Sequence, residues 1–70
     1  MTSVAKILEI IGSSEKGWEE AAHAAVNEAK KTIHKIHGVE VVDMTGKVDP
    51  NSGNITEYCA AVKISFGVEH

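Results

Sequence analysis

The sequence contains no arginine in its 70 residues, one cysteine, one proline and three aromatic side chains. Each shortage closes off a class of function. Nucleic-acid binders carry a basic footprint in which Arg meets phosphates and guanine edges. Here seven Lys stand against ten acidic residues, for a formal charge of −3, so nucleic acid is excluded as the expected partner. The bidentate clamp that Arg offers to anionic substrates is missing as well. A lone Cys59 cannot build an internal disulfide framework and suits a reducing compartment. Cys and His fall nowhere at zinc-site spacing. Uncharged runs such as Ile10 to Ser14 are far too short to cross a bilayer, and no signal-peptide pattern opens the sequence. The expectation is a cytoplasmic protein with no membrane partner.

What is present is ordinary globular composition, 43% hydrophobic and 24% charged, organised as a single domain over residues 1–70. A domain this small buries only about 60% of its unfolded surface and needs a disulfide, a metal or oligomerisation to hold. With no disulfide and no zinc spacing, self-association is the expected source of stability.

Ser3 to Ile11 reads as a strand with apolar groups on both faces (Ile7, Leu8, Ile10, Ile11), and such a strand needs cover on both sides. Gly12-Ser13-Ser14 reads as a turn, with Ser14 as helix cap and Glu15, Glu19 and Glu20 near the positive end of the helix dipole. The helix is expected from Glu15 or Trp18 to His37. Trp18, Ala22, Ala25, Val26, Ala29, Ile33 and Ile36 form its apolar stripe, while His23, Asn27 and His34 lie opposite. Lys30, Lys31 and Lys35 suit its last turns, and Gly38 its end. Val39 to Val48 and Ile55 to Val68 read as strands joined by the turn residues Asp49-Pro50-Asn51-Ser52-Gly53-Asn54. In the last strand Tyr58, Ala60, Val62, Ile64, Phe66 and Val68 form the helix-facing set. The fold class is α+β in the order β-α-β-β, a three-stranded antiparallel sheet partly wrapped around one helix, with the third strand central. The other sheet face is then bare, showing Val42 and Met44 beside Glu40, and Cys59 and Ala61 beside Glu57 and Lys63. Such a half-apolar face marks a subunit interface.

Chemistry is thinly represented. Cys59 is the single candidate nucleophile, but a mid-strand cysteine packs more often than it reacts, and no His is placed beside it. His23 and His34, eleven residues apart, would lie about 16 Å apart along a helix and could not share an ion. His34 and His37 could do so only loosely. Identical histidines or acidic residues meeting at a symmetry axis could still form a cation site that one chain does not show.

A short first strand ending in Gly12-Ser13-Ser14, then Trp18-Glu19-Glu20-Ala21-Ala22, then Val39-Glu40-Val41-Val42, then Tyr58 and Ser65-Phe66, resembles the dodecin family over essentially the whole chain. The resemblance implies a hollow homododecamer. It also implies a non-enzymatic protein that stores or sequesters flavins (riboflavin, FMN or FAD) in pairs between subunits. Flavin-binding dodecins stack the ring on a Trp after the helix and hold it with a Gln after the last-strand Tyr. Here those positions are Gly38 and Cys59. The chain thus resembles the subset lacking the Trp, some of which are associated with calcium. The expected ligand pocket is lined by Gly38, Glu40, Cys59 and Ala61. The alternative is a structural or calcium-binding shell without flavin, with no metal ligand assigned to a named residue.

Overall fold

The structure, a computed structural model, describes residues 4–68. Strand β1 spans Val4–Ser14, helix α1 Trp18–Lys30, β2 Ile36–Val48 and β3 Ile55–Val68. The sheet order is β1-β3-β2, antiparallel throughout, so the third strand is central as expected. Ser3 and the side chain of Val68 lie outside the described residues.

Three expectations are corrected. Gly12-Ser13-Ser14 is not a turn, because β3 runs on beside it and pairs Gly12 with Ala60, Ser13 with Cys59 and Ser14 with Tyr58. The cap position is Gly17. Ser14 instead braces the connection, its hydroxyl accepting from the Lys16 amide at 3.0 Å and donating to Glu20 Oε2 at 3.3 Å. Second, the helix stops at Lys30. The β-branched pair Thr32-Ile33 disfavours another turn, and the Thr32 and Ile33 amides both donate to the Ala29 carbonyl. Ile33 and Ile36 still pack on the core from outside the helix, which is why the sequence kept a helical period there. Third, Gly38 does not end the helix. The left-handed residue is Lys35 (φ 61), and Gly38 lies within β2.

The hairpin loop follows its chemistry. Asp49 Oδ1 accepts from the Asn51 amide at 2.8 Å, and Gly53 takes the positive φ of 77° for which glycine is suited.

α1 lies across β1 and β3 and barely touches β2. Ala21, Ala25 and Ala29 recur every four residues and present a flat strip to Ala60, Val62 and Ile64, all buried. Val62 and Ile64 are the largest fully buried side chains among the described residues. Truncating either to Ala is expected to cost about 2–4 kcal/mol through lost burial and the cavity left behind. Lys63→Ala, between them but on the other face, should leave the subunit core nearly unchanged. Urea unfolding of the three variants checks this, and the reverse ranking would mean that the faces are assigned backwards.

No helix among the described residues is long and apolar enough to cross a membrane. The molecule measures 57 × 20 × 12 Å, with a radius of gyration of 14.7 Å, whereas a compact chain of this length would have one of about 11 Å. The excess is the long β2–β3 hairpin, which reaches past the helix.

Candidate functional site

Register sorts the sheet into two faces. Away from the helix, successive rows read Ile7, Ser65, Gly38; then Glu9, Lys63, Glu40; then Ile11, Ala61, Asp43; then Ser13, Cys59, Thr45. Ile7 is 66% and Ile11 73% exposed, so the open face is apolar along its β1 side and charged across the middle. Lys63 stands between two carboxylates, and at the far end Lys47 Nζ lies 3.3 Å from Glu57 Oε1.

All four expected pocket residues belong to this face, but one chain does not bring them together. Gly38 and Glu40 line a shallow groove of about 230 Å³ with Ile7, Val39, Lys63 and Ser65. The Ser65 hydroxyl donates to the Gly38 carbonyl at 3.4 Å. Cys59 lies six residues along β3 from Ser65, about 20 Å away at strand rise, with Ala61 between. The Cys59 thiol donates to Glu57 Oε1 at 3.8 Å, and its cross-strand neighbours are Ser13 and Thr45.

Met44 is corrected. It was expected on the open face, yet β2 carries a bulge between Val41 and Asp43 that leaves Val42 without a partner on β3. An extra residue reverses the alternation beyond it. Val39 and Val41 before the bulge and Met44 after it therefore share the helix side. There they form an apolar groove of about 350 Å³ with Trp18, Ala22 and Val26, and Glu19 and His23 stand at its edge. Sequence reasoning missed this groove, although the odd-numbered Val39 and Val41 flanking Glu40 carried the signal for it.

Trp18 occupies one end of this groove. Its Nε1 donates to the Thr45 carbonyl at 2.8 Å, and its ring meets Tyr58 edge-on, with centroids 4.7 Å apart at 82°. The histidines divide differently from the helical reading. His23 is on α1, 3.9 Å from Glu19; His34 is in the connection; and His37 is on β2 with its ring against Gly67.

The sequence matches the family model described as Dodecin over residues 4–69. The chain belongs to the dodecin family. Over 69 residues it is 32% identical to the dodecin of Thermus thermophilus, covering 99% of this chain and 97% of that one. Over 64 residues it is 38% identical to the calcium dodecin of Mycobacterium tuberculosis, covering 91% and 87%. A crystal structure of a variant of the Thermus dodecin superposes with a TM-score of 0.90 at 30% identity, over 99% of this chain and 100% of that one. The Mycobacterium calcium dodecin, a calcium-chelating immunodominant antigen with a novel calcium-binding site, superposes with a TM-score of 0.79 at 34% identity, over 96% and 93%.

Against the dodecin flavin pattern the residues of this chain do not fit. Gly38 offers no ring, and its surroundings are Ile7, Val39 and Ser65. Trp18 is on the opposite side of the sheet and is already committed to Thr45 and Tyr58. Nor does one chain fit calcium by itself, since no three His, Cys, Asp or Glu side chains cluster among the described residues.

Proposed function

We propose that this dodecin assembles as a homododecamer in the cytoplasm and holds a small molecule between subunits without transforming it. The observation carrying this reading is the open sheet face, where exposed Ile7 borders the groove at Gly38 and exposed Ile11 stands beside Ala61. Because Gly38 is opposite Ser65 and so stands about 20 Å along the sheet from Cys59, a compact ligand touching both needs them from different copies. Cys59 is bonded to a carboxylate rather than paired with a His, which suits a packing residue. Flavin is then at most a weak ligand, lacking both the stacking ring and the directional amide.

The test is a fluorescence titration of FMN and riboflavin against the wild type and the Gly38→Trp, Cys59→Gln double variant. Gly38 lies within β2 outside the left-handed region, and among atoms within 4 Å an added Cβ would meet only the Ser65 hydroxyl, at 3.3 Å. The Trp should therefore be accommodated. Aromatic stacking adds about 0.5–1.5 kcal/mol beyond burial, so the double variant is expected to bind flavin more tightly by at least that amount. Nanomolar to low micromolar binding by the wild type would overturn the reading. So would no gain in a variant that still assembles.

A calcium-binding shell is the second reading, favoured by the 38% identity to a calcium dodecin and by Glu9, Glu40 and Asp43 on the open face. Calorimetric titration of calcium into the assembled protein separates the two.

A further inference from the structure

We propose that the groove between α1 and β2 is a second binding site, for a small organic cation: an ammonium group on a short aromatic body. The groove holds about 350 Å³, within the range of small-ligand sites. It exists because α1 lies across β1 and β3 and barely touches β2, which leaves β2 standing clear of the helix. The bulge at Val42 brings Met44 onto the side of Val39 and Val41, so β2 offers one continuous apolar wall. Ala22 and Val26, one helical turn apart, form the facing wall.

Trp18 closes one end. Its bond to the Thr45 carbonyl and its edge-on contact with Tyr58 hold the ring in place, so a ligand meets an aromatic wall that needs no ordering on binding. Indole is the best of the aromatic side chains at holding a cation, and the Met44 thioether is polarisable and adapts to irregular shapes.

The charge at the mouth has one sign of use. Among the described residues, Glu19 and His23 are the ionisable groups that line the groove, and none of the seven lysines does so. The Glu19 side chain is 91% exposed, and its contact with His23 is long, at 3.9 Å, which leaves carboxylate oxygens available to an ammonium. An anionic ligand would meet this carboxylate and be turned away. Charged residues are depleted from the centres of subunit interfaces, whereas one carboxylate at the mouth of an apolar groove is what a cationic ligand needs. A neighbouring copy that packs on the outer edges of Val41 and Met44 narrows this mouth without filling the groove. The groove belongs to one chain and lies on the helix side, apart from Gly38 and Cys59, whatever binds on the open face.

The probes are phenethylamine, phenethyl alcohol and phenylacetate, which share a ring and differ in charge. Trp18 is the one tryptophan of the chain, and none of the probes absorbs at the red edge where indole is excited. Its emission in the assembled protein therefore follows occupancy of the groove. Phenethylamine is expected to bind best, the alcohol less well and phenylacetate least. Glu19→Gln is expected to weaken phenethylamine by about two- to fivefold, the range of a solvent-exposed ion pair, and to leave the alcohol unchanged. Glu28→Gln, beside Lys31 at the other end of α1, is expected to change nothing. Ala22→Leu fills the groove and should abolish the response; should it fail to assemble, Glu19→Gln at an exposed side chain still decides the matter. Light scattering on the same samples reports assembly separately, so a failed dodecamer and a failed groove are told apart. The proposal is overturned if Trp18 emission does not move at millimolar phenethylamine, the result when a neighbouring copy fills the groove. Equal binding of the alcohol or phenylacetate, or equal effects of Glu19→Gln and Glu28→Gln, would overturn it as well.

Discussion

Gly12→Val is expected to abolish folding. Gly12 is buried in β1 directly beneath α1, and a Cβ built there would land inside the Ala21 carbonyl oxygen. It would also stand 2.9 Å from the Ala25 amide nitrogen and 3.0 Å from the Ala25 methyl. These are mostly backbone atoms of a helix, so no side chain can swing aside. Overpacking an ordinary core costs about 1–3 kcal/mol, and a clash with helix backbone costs more, because α1 must lift off the sheet. Lifting it uncovers Ala60, Val62 and Ile64 together. Domains hold only about 0.05–0.15 kcal/mol of stability per residue, so a chain of 70 residues cannot absorb this. Far-UV circular dichroism and thermal melting of Gly12→Ala and Gly12→Val should show graded destabilisation and then loss of the transition. Gly17→Ala is the control, since its backbone is extended (φ 171) and nothing lies within 4 Å of the added methyl. A Gly12→Val protein melting within a few degrees of wild type would refute the account.

The second large effect is on assembly: the folded chain is expected at about 90 kDa, twelve subunits of 7.5 kDa, and not at one subunit's mass. Ten large apolar side chains are exposed among the described residues, from Val4 and Ile11 to Met44 and Ile55, while the fully buried large ones are Val62 and Ile64. Leaving a medium-sized apolar side chain in water forgoes about 1.5–3 kcal/mol relative to burying it. The stability missing from the small core is thus available on both faces, at Ile7 and Ile11 on one and at Val39, Val41 and Met44 on the other. Ile11→Asp and Val41→Asp should each disrupt assembly, and the released chains should unfold, since folding and association are linked in obligate oligomers. Light scattering and the concentration dependence of the melting temperature measure both. A folded monomer would defeat the account. A dimer alone would leave the subunit fold standing and remove the dodecamer.

The particulars of the sheet show how far periodicity reaches. β3 was legible residue by residue, because a central strand with one covered face must alternate, and Ala60, Val62 and Ile64 do so. The hairpin loop was legible because Asp49, Asn51 and Gly53 act through local hydrogen bonds and a positive φ that need no distant partner. β2 misled. Its alternation is interrupted at Val42, and a bulge is decided by how two strands settle against each other rather than by either alone. Met44 accordingly changed faces and opened a groove with Trp18.

Of the expected pocket residues, the sequence put Glu40, Cys59 and Ala61 on the open face, as the register has them, but read Gly38 as the helix end and could not place it and Cys59 at opposite stretches of the sheet, since that distance is set by strand pairing. By itself the sequence determined the element order, the helix-facing set of the central strand, the shortage of core and the loss of the stacking ring at position 38. Those properties are local, or follow from composition. Tertiary structure alone decided that Gly12 serves a helix crossing and not a turn, and that the helix ends at Lys30 with Ile33 and Ile36 still packed on the core. Each of these depends on which segments pack together, and burial satisfies a pattern of apolar residues whether or not the backbone beneath it is helical.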